Sequence, residues 1–500
     1  MPSAADLIFL VLLATLSFSV LSTRLLADAG TGWHIRTGQL IVTGRGIPHT
    51  DPFSSTMQGK PWFAWEWLYD VVLGSLDSCC GLNGVVWLTA LLIAIVFSAT
   101  FHLLVARGTN LIIAFVLTLL AISASTIHFL ARPHVVSWLL VLVWFWALDS
   151  TQRATVELRS LRAWRIWCLP ITMLIWANLH GGFLLGFLLL AIFWVDSLRT
   201  WFLTKPTRIE GAFEKIAAAR RTRTLTWIGL LALAASFVNP YGWKLHAHIY
   251  SYLTNRFLMD HIEEFQSPNF HGLAERCFLF LLLVTLATVG ARATKLRLSE
   301  ILLLLLAVYA GLSSSRNIPV ASILLVLIVG PFLPALAFSG FAKKMTGVDS
   351  RLRRHLWPIL ATLVTLLIAC SGGPTASTQW MNAHFDPERM PVAAVNAIEK
   401  SGWSGPVLAP DYWGGYLIYR LYPKTRVVID DRHDLYGSEI LKSYLRMIRG
   451  EPGFDEFVHQ HPAETAVLPT KSALAVILGQ SREWTVVYSD PWATVFVRVG

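Results

Sequence analysis

Apolar residues along this chain come in long blocks separated by short polar breaks, the pattern of helices that cross a membrane. Read against the roughly 20 residues a bilayer requires, the blocks fall at about 7–26, 84–106, 110–130, 134–148, 166–179, 182–198, 225–238, 275–290, 299–312, 317–338 and 355–371. Two wider gaps predict loops over 28–83 and 239–275. Beyond residue 371 the blocks stop. There, helical spacing over Pro391–Lys400 and Gly437–Met447 is interspersed with short β-type runs at Pro406–Ala409, Arg426–Ile429, Thr465–Leu468, Trp484–Tyr488 and Thr494–Val497. That alternation predicts a small sheet with helices packed on it. The expected division is a multi-pass transmembrane domain over 1–371 and a soluble α/β domain over 372–500, joined at Ser371-Gly372-Gly373-Pro374.

Composition and charge fix the class and its sidedness. With 54% hydrophobic and 14% charged residues, a water-soluble surface cannot cover 500 residues, and 21 Trp suit a protein with many rings at membrane interfaces. The net charge of +10 resembles a nucleic-acid footprint until the basic residues are located. They cluster at Arg153, Arg159, Arg162 and Arg165, then at Arg199, Lys205, Arg208, Lys215, Arg220, Arg221 and Arg223. Further groups are Arg292, Lys295 and Arg297, then Lys343, Lys344, Arg351, Arg353 and Arg354. The alternate loops hold few, such as Arg36, Arg45, Lys60, Lys244 and Arg256. By the positive-inside rule the rich loops are cytoplasmic and the N-terminus is inside. About eleven spans then put the C-terminal domain outside the cytoplasm, in a polytopic α-helical protein of the cell (inner or plasma) membrane, with membrane lipids and not nucleic acid as its surroundings. Met1–Asp6 carries no Lys or Arg, so block 7–26 reads as a retained first helix rather than a cleaved signal. Five Cys without a C-x-x-C pair exclude a disulfide scaffold; Cys79 and Cys80 are adjacent, and Cys168, Cys277 and Cys370 lie in apolar runs.

Polar chemistry gathers at the outer ends of the helices. Asp28 follows the first block within Asp28-Ala29-Gly30-Thr31-Gly32-Trp33-His34-Ile35-Arg36, and Asp51 and Glu66 stand farther along the same loop. Carboxylates at a membrane boundary can bind a divalent cation or take a proton; equally, Asp28 can cap a helix and Asp51 can open the turn before Pro52. Arg132-Pro133-His134, Asn178-Leu179-His180-Gly181-Gly182 and Ser315-Arg316-Asn317 occupy other outer turns. Arg132 and Arg316 match phosphate with a bidentate fork, or snorkel to headgroups. Tyr412-Trp413-Gly414-Gly415-Tyr416 offers rings for stacking or for core packing. Asp430-Asp431-Arg432-His433-Asp434 follows a short strand, as a ligand cluster or as a solvated turn. No P-loop, Rossmann fingerprint, zinc spacing or nucleophile elbow occurs.

Together these segments resemble the GT-C glycosyltransferases, and more specifically the catalytic subunit of oligosaccharyltransferase. Asp28–Arg36 with Gly46-Ile47-Pro48 and Asp51-Pro52 is similar to that family's first-loop motif, where the first Asp is catalytic and metal-linked. Leu258–Gln266 resembles the outer-loop stretch with an acceptor-contacting Glu, which falls on Glu264. Arg316 lies where the family has an Arg on the donor's lipid-linked phosphate. Tyr412–Tyr416 and Asp430-Asp431 are similar to the Trp-Trp-Asp-Tyr-Gly segment and its downstream Asp. Two departures stand out. Arg132-Pro133-His134 occupies the place of an acidic second motif, leaving His134 as the substitute ligand, and Gly414-Gly415 follows Trp413 where the family's segment has its second Trp and its Asp.

The resemblance implies transfer of a sugar or oligosaccharide from a polyprenyl-phosphate or diphosphate donor to a glycan, lipid or protein acceptor at the outer face. Asp28 and Glu264 are the expected catalytic groups. His34, Arg132, His180, Arg316, Trp413 and Tyr416 are the expected substrate contacts. A divalent cation, Mg2+ or Mn2+, is expected on Asp28, Asp51 and His134. The alternatives are a metal-independent saccharide polymerase or ligase, and a transporter or flippase for lipid-linked saccharides. The absence of an internal repeat weakens the transporter.

Overall fold

The structure, a computed structural model, describes residues 1–153, 163–205, 209–333, 339–352, 355–372, 379–452 and 454–499. Arg159, Arg162, Arg208, Arg353, Arg354 and the Gly373-Pro374 junction lie outside the described residues. Each apolar block falls on helix within the described residues. Among the described residues six helices are long and apolar enough to cross a membrane: Trp67–Ala106, Leu111–His128, His134–Gln152, Gly181–Leu203, Leu273–Arg292 and Ser315–Phe332. Ala4–Phe18, Leu298–Ser313 and Leu356–Ser371 are apolar but shorter, and Leu169–Leu179 and Ile209–Ser236 account for the remaining blocks.

The expected first loop is more ordered than its polarity suggests. It contains the helix Gly30–Leu40, and the helix Trp67–Ala106 begins well before the apolar block at 84. Gly81, at φ 60° and ψ −160°, kinks that long helix where only glycine tolerates the geometry.

The chain forms two compact units. One comprises Met1–Ala14, Ala90–Phe129 and Pro133–Val364. It is a helix bundle whose core is filled by rings, with Trp138, Trp144, Trp176, Phe97, Phe193 and Phe278 all buried. A buried ion cluster ties three of its elements together: Arg107 lies 2.5 Å from Asp149 and 3.2 Å from Glu300, and donates to the Leu327 carbonyl at 2.9 Å.

The other unit comprises Thr15–Thr89, Leu130–Arg132 and the chain from Thr365 onward. Its four-stranded sheet has the order β1-β2-β4-β3, with β1 Val407–Leu408, β2 Thr465–Pro469, β3 Trp484–Ser489 and β4 Ala493–Arg498. β1 and β2 are parallel and the other pairs antiparallel. The run Arg426–Ile429, expected as a strand, makes only isolated bridges, Val427 pairing with Ser54 and with Val407. The helix expected over Gly437–Met447 runs His433–Ile448.

Within this unit the helix Gly30–Leu40 crosses two others through glycine. A Cβ on Gly415, in the helix Asp411–Leu421, would meet the Ala29 carbonyl and lie 2.6 Å from Ala29 C and 2.9 Å from Gly30 Cα. A Cβ on Gly74 would lie 2.6 Å from Gly38 C. A Cβ on Gly414 would lie 2.5 Å from Asp430 Cα. The Gly414-Gly415 pair that departs from the family motif is thus what lets three backbone segments meet. Cys80 and Cys370 form a disulfide, a pairing hidden in the sequence because Cys370 sits inside an apolar run.

Candidate active site

Asp28, Arg132 and Asp431 are brought together in the second unit. The Asp28 carboxylate accepts from the Gly30 N–H at 2.7 Å, a local turn that fixes it at the entrance to Gly30–Leu40. The Arg132 guanidinium donates from one nitrogen to Asp28 Oδ1 and to Asp431 Oδ2, both at 3.0 Å. Trp33 Nε1 donates to the other Asp431 oxygen at 3.0 Å, and the Arg132 guanidinium carbon lies 5.9 Å from the Trp33 ring centre. The short segment carrying Arg132 is pinned by backbone: Ala131 N–H donates to the Leu25 carbonyl at 2.7 Å, and the Thr31 hydroxyl donates to the Ala131 carbonyl at 3.2 Å. Burial raises the Asp431 carboxyl to about 6, with Arg132 opposing the rise and the charges of Asp28 and Asp430 adding to it. Behind this centre His433 Nε2 meets Asp411 at 2.8 Å, and the Tyr444 hydroxyl donates to the same carboxylate at 2.9 Å. Burial works against a charge on His433, but the Asp411 hydrogen bond and the charges of Asp411, Asp431 and Asp430 raise its pKa on balance.

Asp51 has a different occupation. Its carboxylate accepts from the Phe53 and Ser54 N–H groups at 3.1 and 3.0 Å, from the Ser54 hydroxyl, and from Arg432 at 2.8 Å. Arg432 also bonds Asp430 at 2.6 and 2.8 Å, and its guanidinium carbon lies 4.6 Å from the Trp62 ring centre. A carboxylate has about four acceptor sites, so those of Asp51 are committed to this buried knot. His34 is also enclosed, 2.5 Å from Asp70 and 3.7 Å from Glu66, with no exposed surface. Trp413 and Tyr416 are core rings: Trp413 Nε1 donates to the Arg389 carbonyl at 2.8 Å, and the Tyr416 hydroxyl accepts from Arg420 at 2.7 Å. Tyr412 is the exposed ring of that helix.

The first unit holds Glu264, Arg316, His180 and His134. Arg316 donates to Glu264 at 2.8 Å. Trp176 Nε1 donates to the Ser137 hydroxyl oxygen at 2.7 Å, leaving the Ser137 O–H to donate to His180 Nδ1 at 2.8 Å; the Gly182 N–H donates to the same nitrogen at 3.1 Å. With Nδ1 accepting, the proton of the neutral ring sits on Nε2. That nitrogen is 3.4 Å from an Arg316 nitrogen. Two donors side by side suit one shared anionic acceptor. His134 Nε2 donates to the His128 carbonyl at 2.9 Å.

A divalent cation needs several converging oxygen or nitrogen ligands. Among the described residues one group of three Cys, His, Asp or Glu has ligand atoms close enough together, Cys79, Cys80 and Cys370, and two of those sulfurs are joined. Asp28, Asp51 and His134 belong to no such group. Beside Asp28 the positive charge is the Arg132 guanidinium, so this donor set does not fit a metal ion.

No protein-family model matches the sequence, and no curated protein matches it. Solved structures do. The archaeal oligosaccharyltransferase AglB from Archaeoglobus fulgidus, in complex with an inhibitory peptide and a dolichol-phosphate, is similar with a TM-score of 0.54 at 9% identity, over 94% of this chain and 69% of that one. The Archaeoglobus fulgidus oligosaccharyltransferase in complex with Zn and sulfate is similar with a TM-score of 0.55 at 10% identity, over 99% and 73%. The fold is oligosaccharyltransferase-like. The residue that the sequence left open between a ligand cluster and a solvated turn is Asp431, a partner to both Arg132 and Trp33. Its signal was three carboxylates in five residues after a short apolar run.

Proposed function

We propose that this protein transfers a sugar or oligosaccharide from a polyprenyl-phosphate or diphosphate donor to a glycan, lipid or protein acceptor at the outer face of the membrane. The observation that carries the proposal is the Asp28–Arg132–Asp431 constellation, an acid and a cation held in register at the start of Gly30–Leu40. Outside the cytoplasm no nucleotide is at hand, so the carrier phosphate is the leaving group and its growing charge needs a fixed cation. Asp28 is the group proposed to receive the acceptor's proton. Arg316, with the Nε2–H of His180, is proposed to bind a lipid phosphate, and Glu264 to orient Arg316 and the acceptor. The neighbour's dolichol-phosphate and peptide make a lipid-linked donor and a protein acceptor the first pair to try.

Two features support the outer face and an N-terminus inside. Basic residues concentrate in alternate loops, and the Cys80–Cys370 disulfide suits an oxidising compartment.

The test is transfer by the purified protein in lipid vesicles, using lipid-linked saccharides extracted from its native membrane and mass analysis of the products. Asp28→Asn is expected to lower turnover about 100-fold or more, the scale of a lost acid–base group. Wild-type turnover in that variant refutes the role of Asp28.

A further inference from the structure

We infer that the Arg132 guanidinium is this site's own cation and that transfer proceeds without a divalent metal ion; the inference rests on the glycosyl-transfer reading above. Four observations support it. First, one Arg132 nitrogen lies 3.0 Å from each of two carboxylates, Asp28 and Asp431, which come from opposite ends of the chain. Second, the remaining Asp431 oxygen is occupied by the Trp33 N–H. Third, the guanidinium is packed onto the Gly30 backbone, where an added Cβ would lie 2.9 Å from Arg132 Cζ; glycine keeps that space for the cation. Fourth, the N–H and the carbonyl of Ala131, the residue just before Arg132, are anchored to Leu25 and Thr31, so the side chain starts from a fixed point beside Asp28. A metal ion entering between these carboxylates would have to displace a guanidinium that is largely buried and already paired, leaving its charge uncompensated.

The chemistry balances without an added ion. The bond between the sugar's anomeric carbon and the carrier phosphate oxygen breaks, and its electron pair stays on that oxygen. The acceptor heteroatom forms the new bond to the anomeric carbon and gives its proton to Asp28. The Arg132 guanidinium supplies the positive charge beside the departing phosphate, while its bonds to Asp28 and Asp431 hold it in place.

The experiment is Mn2+ titration of the purified full chain, followed by the electron paramagnetic resonance signal of free Mn2+, beside transfer assays with excess EDTA. The wild type is expected to show no Mn2+ site that depends on Asp28, and its transfer to persist in EDTA. Arg132→Ala leaves two carboxylates facing each other and is expected to gain Mn2+ affinity by about tenfold or more, the scale on which groups around a metal act. Arg132→Lys, which keeps a cation should the alanine variant fail to fold, is expected to gain none. The assignment is overturned by wild-type Mn2+ binding that Asp28→Asn abolishes, by EDTA-sensitive transfer that Mn2+ restores, by a folded Arg132→Ala that gains no affinity, or by an Arg132→Lys that does gain it. If no transfer is seen under any condition but the Mn2+ results come out as expected, the glycosyl-transfer reading fails and the guanidinium assignment stands.

Discussion

Gly415→Ala tests the packing that assembles the candidate site. Two effects compete. Alanine in a helix interior gains about 1 kcal/mol over glycine. Against this, the new methyl would lie 2.6 Å from Ala29 C and 2.9 Å from Gly30 Cα and press on the Ala29 carbonyl. These are backbone atoms that cannot rotate aside, so the cost belongs near the top of the overpacking range, about 3 kcal/mol. The steric term wins, for a net loss of about 2 kcal/mol. For a unit of this size that lowers Tm by roughly 4–8 °C. Because Ala29 lies between Asp28 and Gly30, the helices can part only by moving Asp28. A displacement of about 1 Å is enough to cost roughly 100-fold in rate. Thermal unfolding in detergent, read by tryptophan fluorescence, measures the first effect, and the transfer assay the second. Gly479→Ala is the control: it also lies in a helix, but the added Cβ meets only a Phe496 ring atom at 4.0 Å, so it should keep or raise Tm. A Gly415→Ala protein that melts at or above the wild-type temperature would refute the steric argument.

Two further outcomes follow from the charges. With its carboxyl raised from 3.8 to about 6, Asp431 loses its negative charge, and its hold on Arg132, as pH falls through about 6; transfer should decline on that limb, and Asp431→Asn should flatten it in a pH–rate profile. The stability term has the opposite sign: a raised carboxyl favours the folded state fully below about 3.8, and that contribution is lost as pH rises through about 6. Arg432→Met would leave the Asp51 and Asp430 carboxylates buried without their cation and should cost about 3–5 kcal/mol in denaturant unfolding, with Asp51→Asn in the same chain recovering part of it.

The sequence disclosed the apolar helices well, because uninterrupted blocks leave few choices to the chain. It concealed Gly30–Leu40, whose residues GTGWHIRTGQL are too polar and glycine-rich to read as helix and which is held by close crossings at Gly415 and Gly74. Asp28 and Arg132 were both visible as candidates, but their pairing was not, since 104 residues separate them. Asp51 illustrates the converse. Its place on the first outer loop suggested a metal ligand, whereas Arg432 and Ser54 use its oxygens. Trp413 and Tyr416 could stack on a substrate or fill a core, a question that residue type alone leaves open and burial answers.

The unit that carries Asp28 is stitched from the beginning, a three-residue middle segment and the end of the chain. Asp28 and Asp431 are about 400 residues apart in synthesis order. At 5–20 residues per second, the early carboxylate waits roughly 20–80 s for its late counterpart. During that interval the Asp28–Arg132–Asp431 cluster, the proposed reaction centre, is incomplete. A chain that stops before Asp431 thus cannot form the Arg132–Asp431 and Trp33–Asp431 bonds.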